Sequence, residues 1–266
     1  MKEKPVLEYA LRAHDDEPIT NIEYLHQFGE VDSAQAPFLR CPVCRREVHG
    51  TRMHDRAHTP HFVHAEGERA PCPLVNSTLP PATFMTIYPY HVHLEHERRD
   101  EFAGQWQQHF CEIRRHAPGF SVERVTRTIA HADVLHMWSC PTLRQADLPY
   151  LLLALAAFIA ENPGTAHSTW LRFLFDSSVT EIADLRRPNR IPPRFFRLRY
   201  RASQNSMFPN ASHLLDWAEV RMTGDFLNRS GSPVTSSEAA KFEAFIAPGP
   251  QPHPNDEPME GYLPRE

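Results

Sequence analysis

A segment rich in cysteine and histidine limits what this chain can fold into more than any other feature. Between Phe38 and Pro81 the sequence is rich in Cys, His, Pro and Arg and poor in aliphatic residues. Within it, Cys41-Pro42-Val43-Cys44 is followed by His61-Phe62-Val63-His64 and then by Cys72. Such a segment cannot build much of a hydrophobic core, so it needs another source of stability, such as a structural metal ion.

The spacing of these residues predicts a tetrahedral zinc site. Two thiolates on one tight turn present both sulfurs to one ion, and a second turn or strand end supplies the remaining ligands. Five cysteine and histidine residues are candidates for the four ligand positions of such a site. If residues 61–64 form a strand, alternation sends the two histidines to opposite faces. We therefore predict a structural Zn²⁺ bound by Cys41, Cys44, His64 and Cys72, with His61 as the alternative to His64 or Cys72.

The composition is otherwise that of an ordinary globular protein. The 266 residues carry a formal charge of -5, and 41% of them are hydrophobic. The longest apolar run, residues 150–160, is about half of the roughly 20 residues that cross a bilayer, and the N-terminus has no apolar signal core. Five cysteines, an odd number that includes one tight pair, suit a metal better than a disulfide framework. We expect a cytoplasmic protein that does not bind membranes.

Apolar periodicity and helix-breaking residues predict an α+β fold. Strands are expected near residues 6–11 and at 120–128, 131–138, 169–176 and 195–201, and helices near 19–28 and at 95–116, 148–161, 213–222 and 236–246. The last of these helices follows Thr235, and Glu238 stands at capping-box spacing from it.

These elements predict five parts of the chain. They are an N-terminal strand and helix segment (1–37), a zinc-binding module (38–81), an α/β core (82–205), C-terminal helices (206–247) and a disordered proline-rich tail (248–266).

The order of motifs and elements resembles the competence protein CoiA-like family. CPVC at 41–44, HFVH at 61–64 and Cys72 are followed by an amphipathic helix and a strand pair that ends in Ala132-Asp133-Val134. The resemblance covers about residues 38–176. It implies a small zinc-ribbon-like module followed by a restriction-endonuclease-like α/β core, and a role in prokaryotic DNA uptake, DNA processing or defence.

The resemblance also implies candidate catalytic carboxylates. Asp133 falls where the family has a metal-binding aspartate, and Glu123 matches an acidic position on the preceding strand. An active nuclease also needs a second carboxylate two residues before a Lys or Gln on the following strand. Residues 139–147 contain no such triplet, and no lysine lies between residues 5 and 240. We therefore expect a degenerate nuclease core that binds without cleaving. The alternative is an active Mg²⁺-dependent nuclease that uses Asp133 with Glu123 or Glu95.

Residues 186–201, RRPNRIPPRFFRLRYR, form the most basic stretch of the chain, with seven arginines and no acidic residue. If the apolar side chains of 196–200 point inward on a strand, the alternate arginines follow one another at about 6.6 Å on the outer face. This spacing is close to that of phosphates along an extended nucleic-acid strand. The alternatives are pairing with carboxylates of a neighbouring strand or with an acidic protein partner. The residues predicted to contact nucleic acid are Arg194, Arg197, Arg199 and Arg201.

Overall fold

The computed structural model describes residues 7–28, 37–51, 60–67, 70, 72–75, 86–162, 169–187, 191–202, 209–229 and 234–247. These residues form an α+β fold with six α-helices and two antiparallel sheets. None of the helices in these ranges combines the length and the apolar character that a bilayer span requires. The tail predicted to be disordered, 248–266, lies outside the described residues.

The N-terminal sheet consists of five short strands. They are β1 (Tyr9–Arg12), β2 (Pro18–Thr20), β3 (Leu39–Arg40), β4 (Glu47–Thr51) and β5 (His61–His64), in the order β2-β1-β3-β4-β5, and helix α1 (Asn21–Phe28) follows β2. The Phe62 N–H donates to the Leu7 carbonyl oxygen at 3.0 Å. This bond brings β5 back to the chain just before β1, so the sheet curves toward closure.

Five further helices form a layer with a dense hydrophobic core. They are α2 (Val92–Gly104), α3 (Trp106–His116), α4 (Val122–Val134), α5 (Leu148–Leu155) and α6 (Ser236–Ile246). The predicted helix 95–116 is two helices, because the chain breaks at Gln105. The last predicted helix is confirmed: Thr235 accepts a hydrogen bond from the Glu238 N–H at 3.2 Å, and the Glu238 carboxylate accepts one from the Thr235 N–H at 2.9 Å.

The second sheet lies between the helices and the N-terminal sheet. Its strands are β6 (Phe158–Ala160), β7 (Thr169–Phe175), β8 (Phe195–Arg201) and β9 (Leu214–Val220), in sequence order. The predicted strands at 169–176 and 195–201 are thus present. One face contributes Leu171, Phe173 and Phe195 to the helical core. The other contributes Leu174, Phe196 and Leu198 to the core of the N-terminal sheet.

The strand pair predicted at 120–128 and 131–138 is wrong, because these residues form helix α4 and a short 3-10 turn. The β-branched residues favoured strands, but Val122, Val125 and Ile129 recur at helical spacing and are all buried. The side chain of Ser121 accepts a hydrogen bond from the backbone of Arg124 and caps the helix. Asp133 therefore lies on a helix, and the element order that the family resemblance implies is not reproduced there.

Two predicted helices are also corrected. The helix at 148–161 ends at Leu155, because Ala157 adopts a left-handed φ of 55° and β6 begins one residue later. The helix at 213–222 is strand β9, which pairs with β8 through Leu198 and Trp217 among other residues. Pairing with β8 satisfies backbone groups along the whole segment, so tertiary context overrides its local preference.

Candidate metal centre

The first two predicted ligands lie on a tight turn between β3 and β4. The Cys41 N–H donates to the Arg46 carbonyl oxygen at 2.8 Å, and the Arg45 N–H donates to the Cys41 carbonyl oxygen at 2.9 Å. Arg45 adopts a left-handed φ of 60°. Residues other than glycine seldom adopt this backbone conformation without support from their surroundings. The turn brings the sulfurs of Cys41 and Cys44 toward one point, as a metal knuckle requires.

The histidine ligand comes from an extended strand, so only one histidine of the pair reaches the cluster. Along β5, burial alternates: His61 is half-buried, Phe62 is buried, Val63 is half-buried and His64 is buried. His64 faces the cysteines, whereas His61 lies on the opposite face. The fourth position falls to Cys72, whose N–H donates to the Ala70 carbonyl oxygen at 2.8 Å.

The four candidate ligand atoms lie close enough together to share one metal ion. Cys41 Sγ and Cys72 Sγ are 3.9 Å apart, and Cys44 Sγ lies 3.3 Å from His64 Nε2. All four atoms lie within 4.8 Å of one another, and all four residues are buried. A tetrahedral zinc ion with Zn–S bonds of about 2.3 Å separates its sulfurs by about 3.8 Å, whereas a disulfide needs about 2.05 Å. The arrangement therefore fits a metal such as zinc, and it is not a disulfide.

Protonation of the thiols opposes binding of a cation. Burial raises the pKa of the Cys41 thiol to about 12, and hydrogen bonds with Cys41 and Cys44 raise the pKa of Cys72. Hydrogen bonds from Cys41 and Cys72 lower the pKa of Cys44. A cation must displace the remaining protons because it binds thiolates, so its affinity rises with pH.

The metal knuckle is also bonded to the second sheet. The Ser177 N–H, in the turn after β7, donates to the Val43 carbonyl oxygen at 2.9 Å. The Arg45 guanidinium lies 2.5 Å from Asp16 and 3.2 Å from the fully buried Asp176. The centre therefore lies where the two sheets meet. Sequence reasoning missed Arg45 and Asp176, because 131 residues separate them and no local pattern joins them.

The predicted catalytic carboxylates Asp133 and Glu123 do not come together. Both lie on α4 and are ten residues apart, so their Cα atoms are about 15 Å apart. Asp133 accepts a hydrogen bond from the Trp138 indole at 2.7 Å and pairs with Arg99 at 3.1 Å. Glu123 is exposed and pairs with Lys241 at 2.5 Å. Each carboxylate therefore already has a partner within the protein.

Glu95, the other candidate carboxylate, lies closer to Asp133. Burial raises the pKa of Asp133, and the negative charge of Glu95 raises it further. The Ser139 hydroxyl donates to Glu95 at 2.9 Å, and His136 Nδ1 lies 3.6 Å from the same carboxylate oxygen. These contacts hold the 3-10 turn that follows α4 against α2. Among the described residues, no metal-binding group includes Glu95 or Asp133.

The basic strand β8 alternates as predicted. Phe196, Leu198 and Tyr200 are fully buried against the N-terminal sheet. The intervening arginines lie on the opposite face, and their exposure increases along the strand: Arg197 and Arg199 are partly buried and Arg201 is exposed.

Two of the four arginines predicted to contact nucleic acid are paired within the protein. Arg199 donates through Nε to Asp216 of β9 at 2.7 Å, and its Nη2 is equally close. Arg194 pairs with Glu219 at 3.2 Å and donates to the Asp16 carbonyl oxygen at 3.2 Å. For these two arginines, the alternative to nucleic-acid binding therefore applies, namely pairing with carboxylates of a neighbouring strand.

Comparison with protein-family models, with curated proteins and with solved structures finds no match for this chain. The metal centre and the basic strand are therefore interpreted from their own geometry.

Proposed function

We propose that this chain is a nucleic-acid-binding protein whose N-terminal sheet is held in place by a structural zinc ion. The observation that carries the zinc assignment is the buried cluster of Cys41, Cys44, His64 and Cys72, whose ligand atoms all lie within 4.8 Å of one another. Four protein ligands leave no open position for a substrate, so the ion stabilises the fold and does not catalyse a reaction.

The nucleic-acid assignment is supported by the arginine row of β8, defined as Arg197, Arg199 and Arg201. The three side chains leave one face of a single strand at intervals of about 6.6 Å. Arg201 is exposed, and Arg199 keeps 41% of its side chain exposed although it pairs with Asp216. Arginine side chains bind phosphates through planar, bidentate contacts, and local positive charge attracts nucleic acid even to an acidic protein.

The finer assignments follow from the family resemblance and are part of the proposal. They are a zinc-ribbon-like module, a degenerate nuclease-like core and a role in prokaryotic DNA uptake, processing or defence. The zinc-ribbon part is supported by the two-residue spacing within the knuckle and by the strand that carries His64. The nuclease-like part has less support, since α4 replaces the expected strand pair, and the separation of Asp133 from Glu123 does not favour an active Mg²⁺-dependent nuclease.

Elemental analysis of protein purified without chelators tests the metal assignment. We expect about one zinc per chain, as for other structural sites. A content below about 0.2 equivalents would contradict it, since a closed structural site binds zinc too tightly to lose it during purification.

Fluorescence anisotropy with labelled single- and double-stranded DNA tests the binding assignment. We expect affinity to fall steeply between about 50 and 200 mM salt, by a factor that reflects the number of phosphate contacts. The double variant Arg197→Gln/Arg201→Gln should lower the salt slope by about 1.4 with single-stranded and about 1.8 with double-stranded DNA, while Arg127→Gln, an exposed arginine on α4, should leave it unchanged.

Three outcomes would count against this assignment. DNA binding that is absent or insensitive to salt would contradict it. Binding of an acidic protein without DNA would favour the alternative partner. Plasmid cleavage with Mg²⁺ that Asp133→Ala abolishes would show an active nuclease instead.

A further inference from the structure

The two sheets have four edge strands, and β9 is the one that is both long and open. β2 and β6 have three residues each and β5 has four, whereas β9 has seven. Among the described residues, only those of β8 pair with the backbone of β9. The other side of β9 therefore presents a row of unpaired N–H and C=O groups, which can pair with a further strand.

The opposite edge of the same sheet shows how an edge is closed. The Arg124 guanidinium donates to the Phe158 carbonyl oxygen of β6 at 3.0 Å. The turn at Gly119 approaches β6 so closely that a Cβ atom there would overlap the Ala160 carbonyl oxygen. In the N-terminal sheet, the outer side of β5 is bridged to Leu7. No described residue covers β9 in a comparable way, so its edge is the exception.

The side chains of β9 do little to oppose pairing with another strand. Proteins commonly protect a sheet edge with proline or with charged residues, lysine above all. β9 contains neither proline nor lysine, and its two charged residues, Asp216 and Glu219, are both paired with arginines of the same chain. A register shift opposite Arg199 and Tyr200 interrupts the strand near its beginning. Residues 216–220 are therefore the regular part that remains available for pairing.

This regular part is complementary to itself. In a symmetric antiparallel pair centred on Ala218, Asp216 lies opposite Val220 of the second copy. Trp217 lies opposite Glu219 in the same way. No acidic residue directly faces another, and at the centre the small side chain of Ala218 faces its own copy. The segment therefore pairs with itself without the like-charge contacts that destabilise a sheet.

Arg221 adds to this complementarity. The residue follows β9 directly, is exposed and forms no ion pair with another described residue. In the pair centred on Ala218, it lies diagonally across from Trp217 of the second copy. Diagonal neighbours are within reach of long and aromatic side chains, and a guanidinium is attracted to the face of an indole ring. This contact favours a second copy over an unrelated strand.

We propose that β9 pairs antiparallel with β9 of a second copy of this chain, around a twofold axis at Ala218. The two four-stranded sheets then form one continuous sheet. An axis perpendicular to the sheet keeps each face on its own side, so the arginine rows of both copies share one face. Three strand spacings separate the two β8 strands, or about 14 Å. The significance of this shared face rests on the proposed nucleic-acid binding, whereas the pairing itself does not.

Sedimentation velocity of the full-length protein, from micromolar to millimolar concentrations, tests the pairing. We expect a reversible dimer whose fraction rises with concentration. Ala218→Glu should weaken it about 10-fold or more, because two carboxylates face each other at the axis. In the monomer the new carboxylate lies beside Arg197, its neighbour on β8, and is tolerated. Ala240→Glu, at an exposed alanine of α6, is the matched control and should change nothing.

A cysteine at the axis tests the register of the pair. Side chains directly opposite each other on antiparallel strands have Cβ atoms about 4.5–5.5 Å apart, close to the separation that a disulfide spans. Mild oxidation of Ala218→Cys should therefore give a covalent dimer. Ala240→Cys carries the same native cysteines and should stay uncrosslinked under the same conditions. Circular dichroism and zinc content, unchanged in each variant, verify that the protein is folded.

The outcomes separate this proposal from the binding of DNA. A protein that stays monomeric at every concentration would overturn the pairing and leave the β9 edge to an extended segment of another protein. A dimer that is equally tight in Ala218→Glu, or that Ala218→Cys does not crosslink, would place the contact elsewhere and overturn it as well. A dimer without DNA binding would contradict the proposed function alone, and DNA binding by a monomer would contradict the pairing alone.

Discussion

The N-terminal sheet and the helical layer pack against opposite faces of the same sheet, but they are stabilised differently. The N-terminal sheet is built from strands of two to five residues, and its buried cluster of candidate metal ligands lies at the junction with the second sheet. The helical layer has no such cluster among its described residues, and α5 is buried along all eight of its residues. A metal ion bound at this cluster would add stability where the strands are short and each buries little hydrophobic area.

The largest expected effect comes from removing a metal ligand. Cys44→Ser should remove most of the roughly 10–16 kcal/mol of binding free energy that structural zinc supplies to small modules. Zinc content should fall, and proteases should cut the N-terminal sheet while the helical layer resists. Cys111→Ser, outside the cluster, is the matched control. Equal resistance of both regions in Cys44→Ser would show that the N-terminal sheet does not depend on the metal.

The matching change in the helical layer is Phe110→Ala. Phe110 is 1% exposed and packs against Trp106. Removing its ring should lower the free energy of unfolding by about 3–5 kcal/mol through lost burial and the cavity left behind. Urea denaturation measures this loss, and zinc content should stay at the wild-type level. Loss of zinc in Phe110→Ala would show that the two regions are not separately stabilised.

An intermediate effect is expected at the junction of the two sheets. Asp176 is fully buried, accepts hydrogen bonds from the backbones of Ser178 and Arg194 at 2.8 Å, and pairs with Arg45. Asp176→Asn leaves the Arg45 charge without one of its two partners, so stability should fall by about 3 kcal/mol. Thermal unfolding measures this loss of stability. Asp225→Asn, in a 3-10 turn remote from the metal knuckle in sequence, should change stability little.

The smallest effect is a dependence on pH that comes from the helical layer. Burial lowers the pKa of His109 to about 4, because its ring lies between Phe102 and Phe226. Below pH of about 6.5 the unfolded chain takes up a proton that the folded protein excludes, so stability falls as pH falls toward 4. The loss attributable to His109 between pH 7 and pH 5 should be about 2 kcal/mol.

His109→Leu tests this source of acid sensitivity. Over the same pH range, the free energy of unfolding of the variant should fall less than that of the wild type. Denaturation monitored by the tryptophan fluorescence of the helical layer measures it. Acid also competes with the cation for the thiols of the metal centre, and that part of the loss should persist in the variant. Identical pH profiles for the two proteins would show that His109 is not the group responsible.

The two regions also differ in how far the sequence predicted them. The four metal-ligand candidates were predictable, because the two-residue spacing within the knuckle and the alternation along β5 are local properties. The capping box of α6 was predictable for the same reason. The helical conformation of α4 was not predictable. Its β-branched residues favour a strand, whereas the spacing of its apolar residues favours a helix, and packing against neighbouring helices decides between the two.

The sequence by itself determined which residues can bind a metal, where α6 begins and which side chains of β8 are buried, because these features depend on neighbours within a few positions. Only the tertiary structure decided that residues 214–220 form a strand, that Arg199 and Arg194 pair with carboxylates of β9, and that β9 is an edge strand of its sheet. Each of these features depends on contacts between residues far apart in the chain. The free energy of such contacts outweighs local secondary-structure preference, and the contacts leave no periodic pattern in the sequence.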